Sequence, residues 1–218
     1  MAIEAVVFDL DGILTDSEPV WEAVRRDFVS ERGGKWQPDT QRRLMGMSTS
    51  EWARYLSNEL GVGMPPDEVA QEVVRRMAER YSVELPLLPG AVDTVQRLAR
   101  RWRLGLASSS PTKLIDVVLG RAGLTEYFTV AISTEEVADG KPAPDVYLAV
   151  AARLAVPPDQ CAAIEDSSNG LRAARAAGMR VVAIPRPEYP PDPDALAGSD
   201  LVVHSLELLT VESVEALR

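Results

Sequence analysis

The chain has 218 residues, 46% of them apolar and 26% charged, the make-up of a globular protein large enough to bury a core without disulfides or a structural metal. Its formal net charge of -10 argues against nucleic acid and anionic membrane surfaces as partners, since both favour basic patches. An anionic substrate would need a local cation to overcome that background, so a metal site is worth seeking. Cys161 is the only cysteine and His204 the only histidine. One cysteine excludes an intrachain disulfide, agrees with a reducing compartment and reads as a small buried hydrophobe in a strand. Nothing near His204 supports a Ser-His-Asp or Cys-His site. The N-terminus, with no basic start and no long apolar run, predicts neither a signal peptide nor a membrane span, and a cytoplasmic location.

In chain order, Ile3 to Phe8 is a short β-branched run stopped by Asp9 and predicts a strand buried on both faces. From about Ser17 to Pro86 the pattern is helical. One helix opens at Ser17-Glu18-Pro19, an N-cap followed by an acid and an early proline. A second opens at Ser48-Thr49-Ser50-Glu51 and stops near Gly61-Val62-Gly63. A third starts at Pro65-Pro66-Asp67-Glu68 and carries Val69, Val73, Met77 and Tyr81 along one face, read as core packing. Strand-like runs return at 104–107, 130–133, 161–164, 181–184 and 201–203. Helical patterns separate most of them: Val92, Val95, Leu98, Ala99 and Trp102; Leu114, Val117 and Val118; Val146, Leu148, Ala149 and Ala152; and Leu171, Ala174 and Ala177, closed by Gly178. Strands alternating with helices predict an α/β fold, a mostly parallel Rossmann-like sheet with helices on both faces. The stretch 17–86 is expected to be an all-helical cap inserted after the first strand and hinged near Asp16 and Pro86, leaving 1–16 and 87–218 as the core. Residues 185–198 read as a Pro- and Asp-rich loop without assigned chemistry.

The chemistry gathers where strands end. Asp9 and Asp11 follow the first strand at i and i+2, so both carboxylates can face one crevice, and in open α/β sheets ligands bind at the carboxyl ends of strands. Two carboxylates at about 4 Å repel by roughly 4 kcal/mol at an effective dielectric near 20, so either a cation neutralises them or one pKa rises. One can then serve as nucleophile and the other as general acid and base. A lone Asp-x-Asp would be a solvated turn, but three further groups follow later strands. Ser108-Ser109-Ser110 offers hydroxyls and amides at a helix N-terminus, an anion site as well as an N-cap. Gly140-Lys141-Pro142-Ala143-Pro144 holds a lysine in a stiffened backbone. Glu165-Asp166-Ser167 supplies oxygen ligands suited to a hard cation. In a parallel sheet these ends share one edge, and together they provide what phosphoryl transfer needs: charge neutralisation and in-line positioning.

These motifs, in this order and over nearly the whole chain, resemble the haloacid dehalogenase superfamily of hydrolases. Asp9 to Ser17 looks like its first motif, Ser108 its second, Lys141 its third and Glu165-Asp166 its fourth, and the helical insertion is similar to the cap of the β-phosphoglucomutase-like subgroup. The resemblance implies a Mg²⁺-dependent phosphatase acting on a small phosphorylated metabolite, a sugar phosphate foremost, as a monomer. Asp9 would attack phosphorus and bind Mg²⁺. Asp11 would protonate the leaving oxygen, then activate water against the aspartyl-phosphate, with its backbone carbonyl on the metal. Ser108 and Lys141 would hold the phosphoryl group, and Asp166 would complete the metal site with Glu165 as a ligand or beside it. Substrate contacts are expected from Ser109, Ser17 and Glu18 and from the cap loop containing Gly46, Ser48 and Thr49, whose apolar members read equally as cap core. The dehalogenases proper lack an Asp at position 11, which favours an oxygen leaving group. The runner-up is a sugar phosphomutase, but its cap His and Arg correspond by position to Trp21 and Thr49. A phospho-accepting receiver module would place its acidic pair and its accepting Asp on different strands, a P-type pump would need membrane spans, and a catalytically dead phospho-ligand-binding relative would not need the complete set of catalytic residues.

Overall fold

The structure, a computed structural model, describes residues 2–44 and 47–217. Strand β1 (Ala5–Phe8) leads into four helices, α1 (Glu18–Glu31), α2 (Thr40–Leu44), α3 (Thr49–Asn58) and α4 (Pro66–Val83). Then α5 (Ala91–Ala99), β2 (Arg103–Ser108), α6 (Thr112–Ala122), β3 (Phe128–Ser133), α7 (Asp145–Leu154), β4 (Cys161–Glu165) and α8 (Ser168–Ala176) alternate. The chain closes with β5 (Arg180–Ala183), α9 (Pro193–Ala197), β6 (Leu201–Val202) and α10 (Val211–Glu215). The expected strands are all present within a residue or two. The five-residue helices α2, α9 and α10 are too short to show a 3.6-residue period in sequence, and α9 places a helical turn inside the stretch read as a loop.

The six strands form one parallel sheet in the order β3-β2-β1-β4-β5-β6. The chain winds outward from β1 through β2 to β3, then crosses back to β4 and winds the other way. β1 therefore sits at the switch point, where helices leave a crevice at the strands' carboxyl ends. Register fixes what meets there: Phe8 lies opposite Leu106 on one side and Ile164 on the other, so Asp9, Ser108 and Glu165 emerge on the same edge. Along β1, Val6 and Phe8 join the apolar layer on one face while Ala5 and Val7 join the layer on the other. That explains a strand without polar alternation: both its faces are covered.

The first layer continues into the inserted helices, where Phe28, Leu56, Val69, Val73 and Met77 are all fully buried. Val69, Val73, Met77 and Tyr81 on α4 form the expected stripe. The insert leaves and rejoins the core through two strands of chain held side by side, with Asp16 N donating to Pro86 O (2.7 Å), Leu88 N donating to Leu14 O (3.0 Å) and a bridge between Thr15 and Leu87. No helix among the described residues is long and apolar enough to cross a membrane.

Helix α7 crosses β2 at Gly105, where an added Cβ would lie 2.4 Å from Val150 Cγ1. Overpacking a dense core costs about 1–3 kcal/mol. Gly105→Val is expected to lower the urea midpoint of unfolding by that amount of stability, measured by circular dichroism.

Candidate active site

Asp9 comes straight off β1 and is nearly buried, at 6% exposure. Its Oδ1 accepts a hydrogen bond from Lys141 Nζ at 2.7 Å. The same ammonium donates to Glu165 Oε1 (2.6 Å) and Ala107 O (3.0 Å), so its three protons meet three acceptors from the ends of β1, β2 and β4. Lys141 approaches from the loop after β3, and the Lys141–Pro142 peptide is cis. Tyr147, on α7, donates its hydroxyl to Glu165 Oε1 at 2.7 Å, with its ring 5.1 Å from Lys141 Nζ. The other Glu165 oxygen accepts from Asp166 N, Ser167 N and Ser167 Oγ at 3.1–3.3 Å. Both oxygens of this fully buried carboxylate are thus engaged by protein donors.

Asp166 differs. It lies beside Asp9 and Glu165, with one carboxylate oxygen from each within 4.8 Å of the others, yet its Oδ1 is buried and has no hydrogen-bond partner among the described residues. Gly12 makes the close approach possible. It has φ of 81°, and a Cβ there would lie 2.0 Å from Asp166 Oδ2. The turn carrying it is closed by Gly12 N donating to Thr15 O and Thr15 N to Leu10 O. Asp11, one residue earlier, accepts from Ser110 Oγ at 2.6 Å, which ties it to the loop after β2.

The electrostatics follow from burying acids together. Burial, then the charges of Glu165 and Asp11, push the Asp9 carboxyl up to about 8 against the pull of Lys141. Burial and Glu165 raise Asp166 well above the carboxylate range. Burial alone would lower Lys141, but the adjacent charges of Asp9 and Glu165 prevail and hold its ammonium above the usual lysine value. One buried cation therefore faces three buried carboxylates, a deficit that a divalent ion would fill. The unpartnered Asp166 oxygen and an all-oxygen donor set suit a hard cation such as Mg²⁺.

These groups open into a cavity of about 560 Å³ between the sheet edge and the inserted helices. Of the expected site residues, Asp9, Asp11, Lys141, Asp166, Ser109, Ser17 and Glu18 line it. Ser108 lies at its back, fully buried, with its Oγ accepting from Ser110 N at 3.0 Å. Glu165 is likewise behind the wall. From the cap loop, the wall is made by Leu44 and Met47. Ser48 instead closes the start of α3, its Oγ and N both donating to Glu51 Oε2, and Thr49 Oγ1 is buried without a partner among the described residues. Gly46 lies outside the described residues.

The reading of 185–198 as a loop without chemistry needs correction. Arg186, Glu188 and Tyr189 line the cavity, and Arg186 donates to Asp16 Oδ1 at 3.0 Å, joining this loop to the start of the insert. Proline and aspartate content signals a loop but not where a 170-residue separation will bring it. Arg25 was missed for the same reason, although its place among Trp21, Val24, Phe28 and Val29 on the buried face of α1 marks it as a charge where an apolar side chain is expected.

Residues 3–178 match the haloacid dehalogenase-like hydrolases, and the chain belongs to that family. Hexitol phosphatase B of Escherichia coli (strain K12) is 36% identical over 219 residues, spanning 97% of this chain and 96% of its own. CbbY from Rhodobacter sphaeroides, solved as a mutant in complex with xylulose-(1,5)bisphosphate, superposes with a TM-score of 0.87 at 28% identity, over 98% of this chain and 99% of that one. The β-phosphoglucomutase of Clostridium difficile superposes with a TM-score of 0.81 at 25% identity, over 97% and 95%.

Glu165 neutralises and holds Lys141. Removing one partner of a buried ion pair costs about 3–5 kcal/mol, because the other charge stays buried. Glu165→Ala is expected to lose stability of that order in chemical denaturation, and a loss below about 1 kcal/mol, the range of a surface pair, would contradict the role given to it.

Proposed function

We propose that the chain is a Mg²⁺-dependent phosphatase of small phosphomonoesters, sugar phosphates foremost, working through phosphorylation of Asp9. The observation that carries this reading is the trio Asp9, Glu165 and Asp166, buried together around a single ammonium with one Asp166 oxygen unpartnered. Asp9 is held by Lys141 through Oδ1, which leaves Oδ2 to attack phosphorus. Fixing the nucleophile in this way supplies orientation before the substrate arrives. Asp11, tied to Ser110, protonates the departing oxygen and later takes a proton from the water that hydrolyses the aspartyl-phosphate. Ser109, on the cavity wall, and Ser108 behind it would hold the phosphoryl oxygens, while Lys141, its protons engaged, fixes Asp9 and lends the site its positive charge.

Asp9, Asp166 and the backbone carbonyl of Asp11 would hold the metal. Bound Mg²⁺ supplies positive charge that neutralises the buried carboxylates and the phosphoryl oxygens. Glu165, with both oxygens already engaged, fits a positioning role behind the metal better than direct ligation. The stretch 17–86 would act as a cap hinged at Asp16 and Pro86, closing over the substrate and excluding water. Ser17 and Glu18 would meet the leaving group, with Gly46, Ser48 and Thr49 on the loop that closes over it. Hydrolysis is favoured over phosphomutation by Trp21, an indole without acid–base chemistry lining the cavity at the position where the mutases carry a His. The relative named for hexitol phosphates supports the sugar-phosphate class. A lone buried thiol fits a reducing cytoplasm, and the site is complete within one chain, as a monomer requires.

Two outcomes test this. Asp9→Asn is expected to bring phosphate release from a panel of sugar phosphates to background while far-ultraviolet circular dichroism stays unchanged; substantial residual turnover would remove Asp9 as nucleophile. EDTA is expected to abolish release by the wild-type protein and excess Mg²⁺ to restore it, and undiminished turnover in EDTA would remove the metal from the reaction.

A further inference from the structure

Arg25 is 5% exposed yet lies on the buried face of α1. Its guanidinium sits 4.4 Å from the Trp21 ring centroid and 5.0 Å from that of Trp52, and it lines the cavity. Its Nε has no hydrogen-bond partner among the described residues. Burial lowers its pKa to about 10, against the opposing charges of Glu18 and Asp11, so it remains a cation at neutral pH. A buried guanidinium carries five donors, and leaving them unmet is costly. Stacking on two indoles recovers part of that cost; acceptors from a ligand would recover the rest.

Glu18 lies on the same wall. Its Oε2 accepts from Gln41 Nε2 at 2.6 Å, and Gln41 Oε1 is buried without a partner among the described residues. The wall thus offers acceptors and donors side by side, backed by aromatic faces. A second anionic group would find few free cations here besides Arg25. Lys141 is engaged by Asp9 and Glu165, Arg172 by Asp192 and Asp194, and Arg186 by Asp16, which leaves the exposed Arg42 on the cavity wall. Such a group would also meet the carboxylates of Glu18 and Asp16. An uncharged hydroxyl suits the wall better: it donates to Glu18 and accepts from Arg25, while the carbon-bound hydrogens pack on the indoles.

We propose that Arg25, packed against the paired rings of Trp21 and Trp52 and acting with Glu18, is the specificity-determining residue that selects an uncharged polyhydroxylated leaving group, a sugar or alditol, over one bearing a second anionic group. The inference rests on the phosphatase reading and names the class of substrate for that site.

The test compares kcat/KM for phosphate release from glucitol 6-phosphate, a pentulose bisphosphate, phosphoglycolate and phenyl phosphate, whose leaving group has no further hydroxyl. Wild-type protein is expected to prefer glucitol 6-phosphate. In Arg25→Met, which keeps the packing volume, the ratio of kcat/KM for glucitol 6-phosphate to that for phenyl phosphate is expected to fall by about tenfold or more, through KM rather than kcat, as a site loses a hydroxyl-reading contact. Arg25→Lys is expected to recover only part of the ratio, since an ammonium lacks the planar fork. A ratio within about twofold of wild type would make Arg25 structural and overturn the proposal. So would a wild-type preference for the bisphosphate or phosphoglycolate that Arg25→Met abolishes. Failure of the wild-type protein to release phosphate from every substrate, phenyl phosphate included, would instead overturn the phosphatase reading and this inference with it.

Discussion

The contact on which the rest of the site depends is the buried ammonium of Lys141 between Asp9 and Glu165. Carboxylates are costly to bury, and here three of them emerge at the ends of adjacent parallel strands. A single lysine cannot neutralise three acids, but it can fix two of them in place, and it does so with every proton satisfied. Much of the surrounding sequence follows from that demand. Tyr147 and Ser167 complete the shell of Glu165. Gly170 must be glycine because a Cβ there would lie within 2.1 Å of the Glu165 carboxylate, and Gly12 must be glycine because Asp166 occupies the space its side chain would fill. Burial first, and then the neighbouring carboxylates, raise Asp9 and Asp166, and the charge left over suits a divalent cation.

Above this acidic edge the inserted helices supply a wall of a different kind. The core wall carries the carboxylates of Asp9, Asp11 and Asp166, the hydroxyls after β2 and the ammonium of Lys141, with Arg172 and Arg186 beyond them; the cap wall carries Trp21, Trp52, Leu44 and Met47, with Glu18, Arg25 and Arg42 set among them. The division suits a phosphate ester, whose charged end needs neutralisation while its remainder needs shape and selective hydrogen bonds. On the proposed reading it would also separate reaction from choice of substrate, because the reacting groups stand at the strand ends while Glu18 and Arg25 stand on α1.

How much could be read in advance varied with how local each determinant is. The doubly buried β1, the Asp9–Asp11 pair and the Lys141-Pro142 turn announce themselves within a few residues, and the helical stripe of α4 within four turns. The short helices α2, α9 and α10 gave no periodic signal, because five residues cover little more than one turn. Ser108 was legible as a strand-end hydroxyl, but not its burial behind Ser109 and Ser110, since both depend on how the loop after β2 folds back. Ser48 was legible as an N-cap, and that local role is the one its hydrogen bonds serve. The loop at 185–198 could be recognised as a loop, and its partner Asp16 could not.

The sequence by itself determined the elements and the kind of chemistry they carry. Strand and helix patterns follow from local periodicity, and acids, hydroxyls and a proline-flanked lysine at strand ends define a phosphoryl-transfer set wherever a parallel sheet brings those ends together. Only the tertiary structure decided which groups face one another: that Lys141 spans Asp9 and Glu165, that Asp166 keeps an oxygen free, that Arg186 reaches Asp16, and that Arg25 packs against two paired indoles at the cavity wall. These are contacts between residues far apart in the chain. They are set by sheet order, register and helix packing, and no local pattern encodes them.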